Sequence, residues 1–386
     1  MRQTILYFGN TWFTENRTSS HHIARWLGRR HDVYYFECPG LRAPKGSTRD
    51  LRKVLTQLRR AMAPAVDGAE GVKVRPLLQI PFHRLSLVRR LNTILMRATI
   101  GWFMWRRGIK TPIVWCTVPH VASLAKSIPA STRVYYCVDD YSAVPGVDAE
   151  AVRLMDAMMT ANADVVFVTS ETLVESKKHL NPETHASPHG VDVEHFKTAM
   201  LPPAPLPDIG MPRQPVIGYF GLVEHYTDLD LLAWLASQRP EWTFLVIGHV
   251  VVPAATLPQR PNLLFVGPKP YESLPEYGRH FTAAIIPYRV TDFTYHANPL
   301  KLREYLAMGK RIVATSTPQI DRFKDIVDVV KTPDEWLTAL DRIVSTPQSA
   351  ADIDERRRRV QDWSWDARIN RAWGIVEDKM RRATPR

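Results

Sequence analysis

A chain of 386 residues is long enough for two or three domains, and with 45% hydrophobic and 23% charged residues it has the make-up of a globular protein with a sizeable core rather than a disordered chain. Its three cysteines, Cys38, Cys116 and Cys137, share no CxxC or Cys/His ligand spacing, which argues against a disulfide framework and structural zinc and fits a reduced cytosolic setting. The formal charge of +12 is local: residues 42–110 hold 16 Lys/Arg against three acids (Asp50, Asp67, Glu70), leaving 35 basic and 36 acidic residues elsewhere, so this segment is expected to meet an anionic partner.

The opening MRQTILYFGN reads as a strand running into a glycine turn, with no apolar signal-peptide core behind it. FGNTWFTENRTSSHHIARWLGRRHDVYYFE continues as strand, long loop, helix, strand, and Gly9 permits close backbone approach to a ligand. Asn16-Arg17-Thr18 matches a glycosylation sequon, a frequent chance hit that carries little weight in a cytosolic chain. Further on, Leu87, Leu91, Ile94, Ala98, Trp102 and Trp105 recur at helical spacing while Arg89, Arg90 and Arg97 lie off that stripe. Such a helix either packs on its own domain or lies in a membrane interface, arginines on anionic head groups and tryptophans at the boundary. Nucleic acid is not expected, because the aromatics do not interleave with the arginines. The apolar-leaning run Ile100 to Trp105 falls far short of the roughly 20 residues of a bilayer span.

Short apolar runs then alternate with amphipathic stretches: PIVWCT, RVYYCV and DVVFVT after TILYFG and VYYFEC, and VIGYFG, TFLVIG, NLLFVG, AAIIPY and RIVAT in the second half. This is the pattern of helices around mostly parallel sheets. Leu201 to Pro215 is too proline-dense for helix or central strand and reads as the interdomain linker. The tail from Asp352 to Met380 is helical in composition, and its Trp363, Trp365 and Trp373 need cover.

No GxxxxGK[ST], GxGxxG or GxSxG motif is present, which disfavours a P-loop enzyme, a standard dinucleotide dehydrogenase and a serine hydrolase. AAIIPYRVTDFTYHANPLKLREYLAMGKRIVATSTP, Ala283 to Pro318, is more informative. It reads strand, loop, helix, strand, with Pro299 suited to the first helical turn and Gly309 to the stop. The loop Tyr295 to Asn298 delivers a ligand to a helix start that favours phosphate, with Lys301 in the first turn and Glu304 one turn on. A diphosphate held there leaves Glu304 to accept two ribose hydroxyls; the alternative is an ordinary capped helix with both side chains solvated. Asp228-x-Asp230 directly precedes the apolar periodicity LLAWLA and reads as a helix N-cap with an acidic first turn, not as a metal site.

Here the chain resembles the retaining glycosyltransferases of family 4, which have the GT-B fold. HANPLKLREYLAMGKRIVA is similar to the second half of the family's E(x7)EAxAxGxPVV helix, with Glu304 on the second, ribose-holding glutamate and His296 in place of the first, sugar-contacting one. ADVVFVTSETL and SPHGVDVEHF are similar to further family segments in the same order, so that the resemblance runs from about Ile5 to the C-terminal helix. It implies an α/β GT-B fold: two Rossmann-like domains facing across a cleft, with the C-terminal helix crossing back to the N-terminal domain. The expected boundaries are an acceptor-binding domain over 1–200, a linker over 201–215, a nucleotide-sugar domain over 216–350, and a helical tail over 351–386 packing on the first domain.

The resemblance also implies site residues. Gly9 and Asn10, after the first strand, approach the donor, and Arg17, His21, His22 and His120 lie on the acceptor side, although each of the adjacent histidines suits capping or a helix surface better than catalysis. RVYYCVDDYS is similar to a strand end where a histidine lines the acceptor side; Asp139 and Asp140 stand there, as acceptor-orienting groups or base, as capping residues, or as metal ligands. The family's arginine and lysine that clamp the donor diphosphate are absent from GLVEHYTDLDLLAWLA, leaving Lys301, Arg289 and Lys269 as substitutes. The donor set is then Gly9, Asn10, Lys269, Arg289, Asn298, Pro299, Leu300, Lys301 and Glu304, with His296 on the sugar and Asp139, Lys301 and His296 carrying catalysis. No metal or cofactor is expected beyond a UDP- or GDP-linked sugar as donor. The expected acceptor is a glycan or lipid-linked molecule of cell-surface polysaccharide synthesis, and the expected location cytoplasmic, peripheral on the inner membrane face through 42–110. Two rivals stand beside this reading: a nucleotide-sugar epimerase, and a non-catalytic basic protein binding membrane or nucleic acid through a degenerate cleft.

Overall fold

The computed structural model describes residues 2–12, 17–38, 66–77, 86–144 and 146–383. Loop residues 13–16, with Asn16 of the sequon, and residues 39–65 and 78–85 of the basic segment lie outside the described residues. The described residues fall into two compact units, one drawn from 1–188 and 368–386, the other from 189–367.

In the first unit β1 (Thr4–Gly9), β2 (Asp32–Glu37), β3 (Val66–Asp67), β4 (Lys73–Pro76), β5 (Ile113–Cys116), β6 (Thr132–Cys137), β7 (Val165–Val168) and β8 (Thr184–Ala186) form one sheet in the order β3-β4-β2-β1-β5-β6-β7-β8. Among the described residues only its β3–β4 pair is antiparallel. The winding reverses between β1 and β5, so the loops after these strands border the crevice where such sheets bind ligands. Side chains alternate along each strand, and both faces are apolar. On one, Tyr7, Trp115, Tyr136 and Phe167 stack in a row closed by the C-terminal helix Trp365–Ala383, whose Trp373 lies 6.4 Å from Trp26, 4.2 Å from His31 and 6.5 Å from Trp115, ring centre to ring centre. On the other, Leu6, Phe8, Phe36, Val114 and Cys116 meet Met96, Ile100, Phe103 and Met104 of helix Ser86–Arg107.

That helix corrects the sequence reading in one respect. The stripe Leu91, Ile94, Ala98, Trp102 and Trp105 is its exposed side, and a second, less regular apolar set opposite makes the packing face. Periodicity reports that a face is apolar, not which neighbour covers it.

The second unit holds β9 (Val216–Phe220), β10 (Thr243–Ile247), β11 (Leu263–Phe265), β12 (Ala283–Ile286), β13 (Arg311–Thr315) and β14 (Asp328–Val330), all parallel, in the order β11-β10-β9-β12-β13-β14. Its switch point lies between β9 and β12. The proline-rich 201–215 belongs to this unit rather than joining the two. Leu206 and Gly210 exchange backbone hydrogen bonds, Tyr277 donates to Asp208 at 2.8 Å, and the His280 ring contacts the Ala204 carbonyl at 2.9 Å, so local side chains staple it to the surface. The chain passes between units at 188/189 and again at 367/368, and helix Ala350–Gln361 stays with the second unit, where Arg356 donates to the Gly309 carbonyl at 3.0 Å. Among the described residues no helix is long and apolar enough to cross a membrane. The three cysteines are buried and unbridged.

Candidate functional site

The site is built where β12 hands the chain to a helix. Thr291 opens a single helical turn, Asp292–His296, through a capping box in which its hydroxyl accepts from the Thr294 N–H at 3.2 Å, so Tyr295 and His296 are helical where a plain loop was expected. Three non-helical residues follow, and helix Leu300–Ala307 begins after Pro299, which is its N-cap and lies just before the first turn in which it was expected. Proline offers no side-chain capping group, so no side chain caps the first turn, although the Leu302 N–H donates to the Pro299 carbonyl at 3.3 Å. The helix stops as the sequence indicated: Gly309, at φ +69°, lets the Gly309 and Lys310 N–H groups donate back to Leu306 and Tyr305.

Lys301 leaves this first turn along the end of β9. Its ammonium donates to the Tyr288 hydroxyl and lies 5.1 Å from the Tyr219 ring centre and 4.9 Å from that of Tyr288. The space it crosses exists because residue 221 is glycine: a Cβ there would come within 2.8 Å of Lys301 Cε, and its φ of +143° suits only glycine. Gly248, at the end of β10, is as constrained, since a Cβ would sit 1.9 Å from the Gly221 carbonyl oxygen. Glycines thus rim the strand ends next to the lysine.

The three substitutes for the missing clamp separate here. Arg289 is held by Asp230 and, at 3.5 Å, by Asp228; Lys269 is held by Asp208 at 2.8 Å. Both are charge-compensated within the second unit, the arginine on the surface and the lysine half-buried. Lys301 has no ion pair among the described residues and stands at the helix start. Asp228 itself caps helix Leu229–Gln238, accepting from the Leu231 N–H at 3.1 Å, as its sequence context indicated.

Glu304 is only partly accessible, and its carboxylate makes no hydrogen bond among the described residues. Burial pushes its pKa up to about 7, against the pull of Lys301 downward. His296, also partly accessible, has a buried Nδ1 without a hydrogen-bond partner. Asn298 is buried, and its side-chain oxygen accepts from Arg303 at 2.6 Å, a contact that ties the bend before the helix to its first turn. Pro299 and Leu300 contribute backbone at the helix start.

In the first unit several candidates have structural roles. A Cβ on Gly9 would lie 2.3 Å from the Tyr35 hydroxyl and 2.4 Å from Ser20 Oγ, so this glycine answers to internal packing. The Asn10 carbonyl accepts from Tyr35 at 2.6 Å. His21 is a capping residue: its Nδ1 accepts from the Thr18 N–H at 3.0 Å, its Nε2 donates to the Thr11 carbonyl at 3.0 Å, and burial drives its pKa down to about 4. His120 is buried in the turn Pro119–Val121, and Arg17 and His22 are half-buried at the start of helix Ser19–Gly28. Asp140 accepts from the Ser142 N–H at 2.9 Å and hydroxyl at 2.7 Å, a cap. Asp139, its neighbour at the end of β6, has no side-chain partner among the described residues; burial first, and the Asp140 charge second, push its pKa up to about 7. The sequence therefore named one carboxylate in each unit that the fold leaves uncommitted and poised to titrate near neutrality.

Sequence reasoning missed the aromatic bed of Lys301 and the glycine rim. A signal was present, because VIGYFG, TFLVIG and NLLFVG all close on glycine, and Gly221, Gly248 and Gly267 all take positive φ.

No family model matches the chain. It is 25% identical over 278 residues, 65% of its own length and 68% of the relative's, to the Bacillus subtilis (strain 168) protein named "Putative teichuronic acid biosynthesis glycosyltransferase TuaH". Among solved structures it is similar to sucrose-phosphate synthase from Thermosynechococcus elongatus, with a TM-score of 0.72 at 15% identity over 99% of this chain and 100% of the other. It is also similar to Anabaena Alr3699/HepE in complex with UDP and glucose, with a TM-score of 0.65 at 12% identity over 98% and 100%. These structural likenesses show the fold: the chain has the two-Rossmann GT-B architecture.

Proposed function

We propose that the protein is a glycosyltransferase that moves a sugar with retention of configuration from a UDP-linked donor to a glycan or lipid-linked acceptor of cell-surface polysaccharide synthesis. The observation that carries the donor half is the uncapped start of helix Leu300–Ala307 with Lys301, the one clamp candidate without an acid partner, laid beside Gly221. The likeness to a protein named for teichuronic acid biosynthesis supports the acceptor class, and the likeness to a UDP-bound structure supports the base.

The donor diphosphate sits on the N–H groups at the helix start with Lys301 against it, and Glu304 accepts the two ribose hydroxyls. His296 reaches the sugar. As the bond between the anomeric carbon and the diphosphate oxygen breaks, negative charge grows on the diphosphate, where the helix dipole and Lys301 are already oriented toward it. The acceptor oxygen forms the new bond on the face the diphosphate leaves, and its proton passes to the departing phosphate oxygen. The residues named supply all of this chemistry without a metal.

The test is a product assay with radiolabelled UDP-sugars, with and without a bacterial lipid extract as acceptor. Label moving into a lipid- or glycan-bound product only when acceptor is present, and not with Glu304→Ala, is the expected result. A new sugar nucleotide formed without acceptor would instead identify an epimerase.

A further inference from the structure

Helix Ser86–Arg107 is apolar on two opposite sides. One side, with Met96, Ile100, Phe103 and Met104, is in the core of the first unit. The other presents Leu91, Ile94, Trp102 and Trp105 at 44%, 62%, 53% and 78% exposure, together with the exposed Ala98 and Gly101. At about 100° per residue these positions form a single stripe about 100° wide. Arg90 and Arg97 border it on one edge and Arg106 on the other, all exposed. The helix carries five arginines and no acid. Arg90 and Arg97 make no hydrogen bond or ion pair among the described residues, and Arg106 lies over the Trp102 ring at 5.3 Å. A continuous apolar strip of this kind marks a surface that something covers.

We infer that this helix docks the protein on an anionic lipid bilayer, its Leu91–Trp105 stripe in the head-group boundary and Arg90, Arg97 and Arg106 on lipid phosphates. The charge pattern selects this occupant. A second copy set face to face would bring one row of arginines toward another with no carboxylate on either helix to answer it. Nucleic acid would need the aromatics among the arginines, whereas Trp102 and Trp105 lie on the apolar stripe. A bilayer satisfies both parts at once: tryptophans rest at the apolar–polar boundary and the flanking arginines meet phosphate, each contributing about fivefold to partitioning. This inference stands independently of the donor reading, since no residue of helix Leu300–Ala307 enters it.

The experiment is flotation of the full chain with phosphatidylcholine vesicles, with and without about 30% phosphatidylglycerol, at low and high salt. Wild type is expected to float with the anionic vesicles only, and less at high salt. Arg90→Gln/Arg97→Gln is expected to weaken binding about 25-fold, and Trp102→Ser/Trp105→Ser at least tenfold, with circular-dichroism melts unchanged because all four side chains are exposed. Wild type that stays with the soluble fraction overturns the inference, as does wild-type flotation by either variant, which would assign binding to other basic residues. Sedimentation as a dimer that the tryptophan variant converts to monomer, without flotation, would give the stripe to a second copy and overturn it too.

Discussion

Glu304 and Asp139 owe their raised pKa values to the protein around them, and the sign of the effect follows. A carboxyl that titrates near 7 when folded and near 4 when unfolded keeps its proton longer in the native state. Its stabilising contribution is therefore full below about pH 4 and is lost as pH rises through 7. Buried histidines such as His21 act in the opposite direction, so the test is a difference. Glu304→Gln should gain about 1–2 kcal/mol over wild type at pH 8 and little at pH 5, read from urea midpoints at both pH values. Nucleotide binding should show the reverse trend, because only the ionised carboxylate accepts both ribose hydroxyls. Affinity should rise up to tenfold per pH unit below 7 in wild type and stay flat in Glu304→Gln, as calorimetric titrations would show. At the same scale, Lys301→Ala should cost about 10- to 100-fold in UDP affinity, the worth of a charge-assisted contact. Arg289→Ala and Lys269→Ala, which break pairs with Asp230 and Asp208, should change it less than threefold. Equal losses in all three would put the arginine and lysine in the clamp as well.

At the scale of elements, what could be read in advance was what repetition or special residues mark. The five apolar runs of each half all became strands, NLLFVG as the edge strand β11 and the other nine inside their sheets, and Gly309 ended its helix as a left-handed glycine should. The strands that went unread, β3, β4, β8 and β14, have two to four residues and lie at or next to sheet edges, where one-sided pairing needs few apolar side chains. Helix Ser86–Arg107 was legible as a helix, but the roles of its two apolar sides depend on contacts remote in sequence. The site was half legible for a related reason. Asp139, Lys301 and Glu304 stand in local patterns, whereas the pairing of Arg289 with Asp230 and of Lys269 with Asp208 spans 59 and 61 residues and leaves no local trace. The glycine rim gives a prediction of its own: Gly221→Ala forces a side chain into positive φ and against Lys301, costing about 1–3 kcal/mol in denaturant midpoints. UDP affinity should fall with it.

Over the whole molecule, each of the two units has its own hydrophobic core. The last helix returns to the first unit, where Trp373 seals the aromatic row over the sheet. Trp373→Ala should therefore cost about 3–5 kcal/mol, seen as an earlier transition in the denaturation of the full chain. The donor reading places nucleotide on the second unit, and a ligand that binds only the native state stabilises it by about 2.7 kcal/mol at a hundredfold excess over Kd. A thermal-shift panel of UDP, GDP, ADP and CMP on wild type and Glu304→Ala tests this most directly. The account predicts a rise of several degrees with UDP, little with the other bases, and none in Glu304→Ala. No shift with any nucleotide, or a UDP shift that survives in Glu304→Ala, would contradict a donor site on helix Leu300–Ala307.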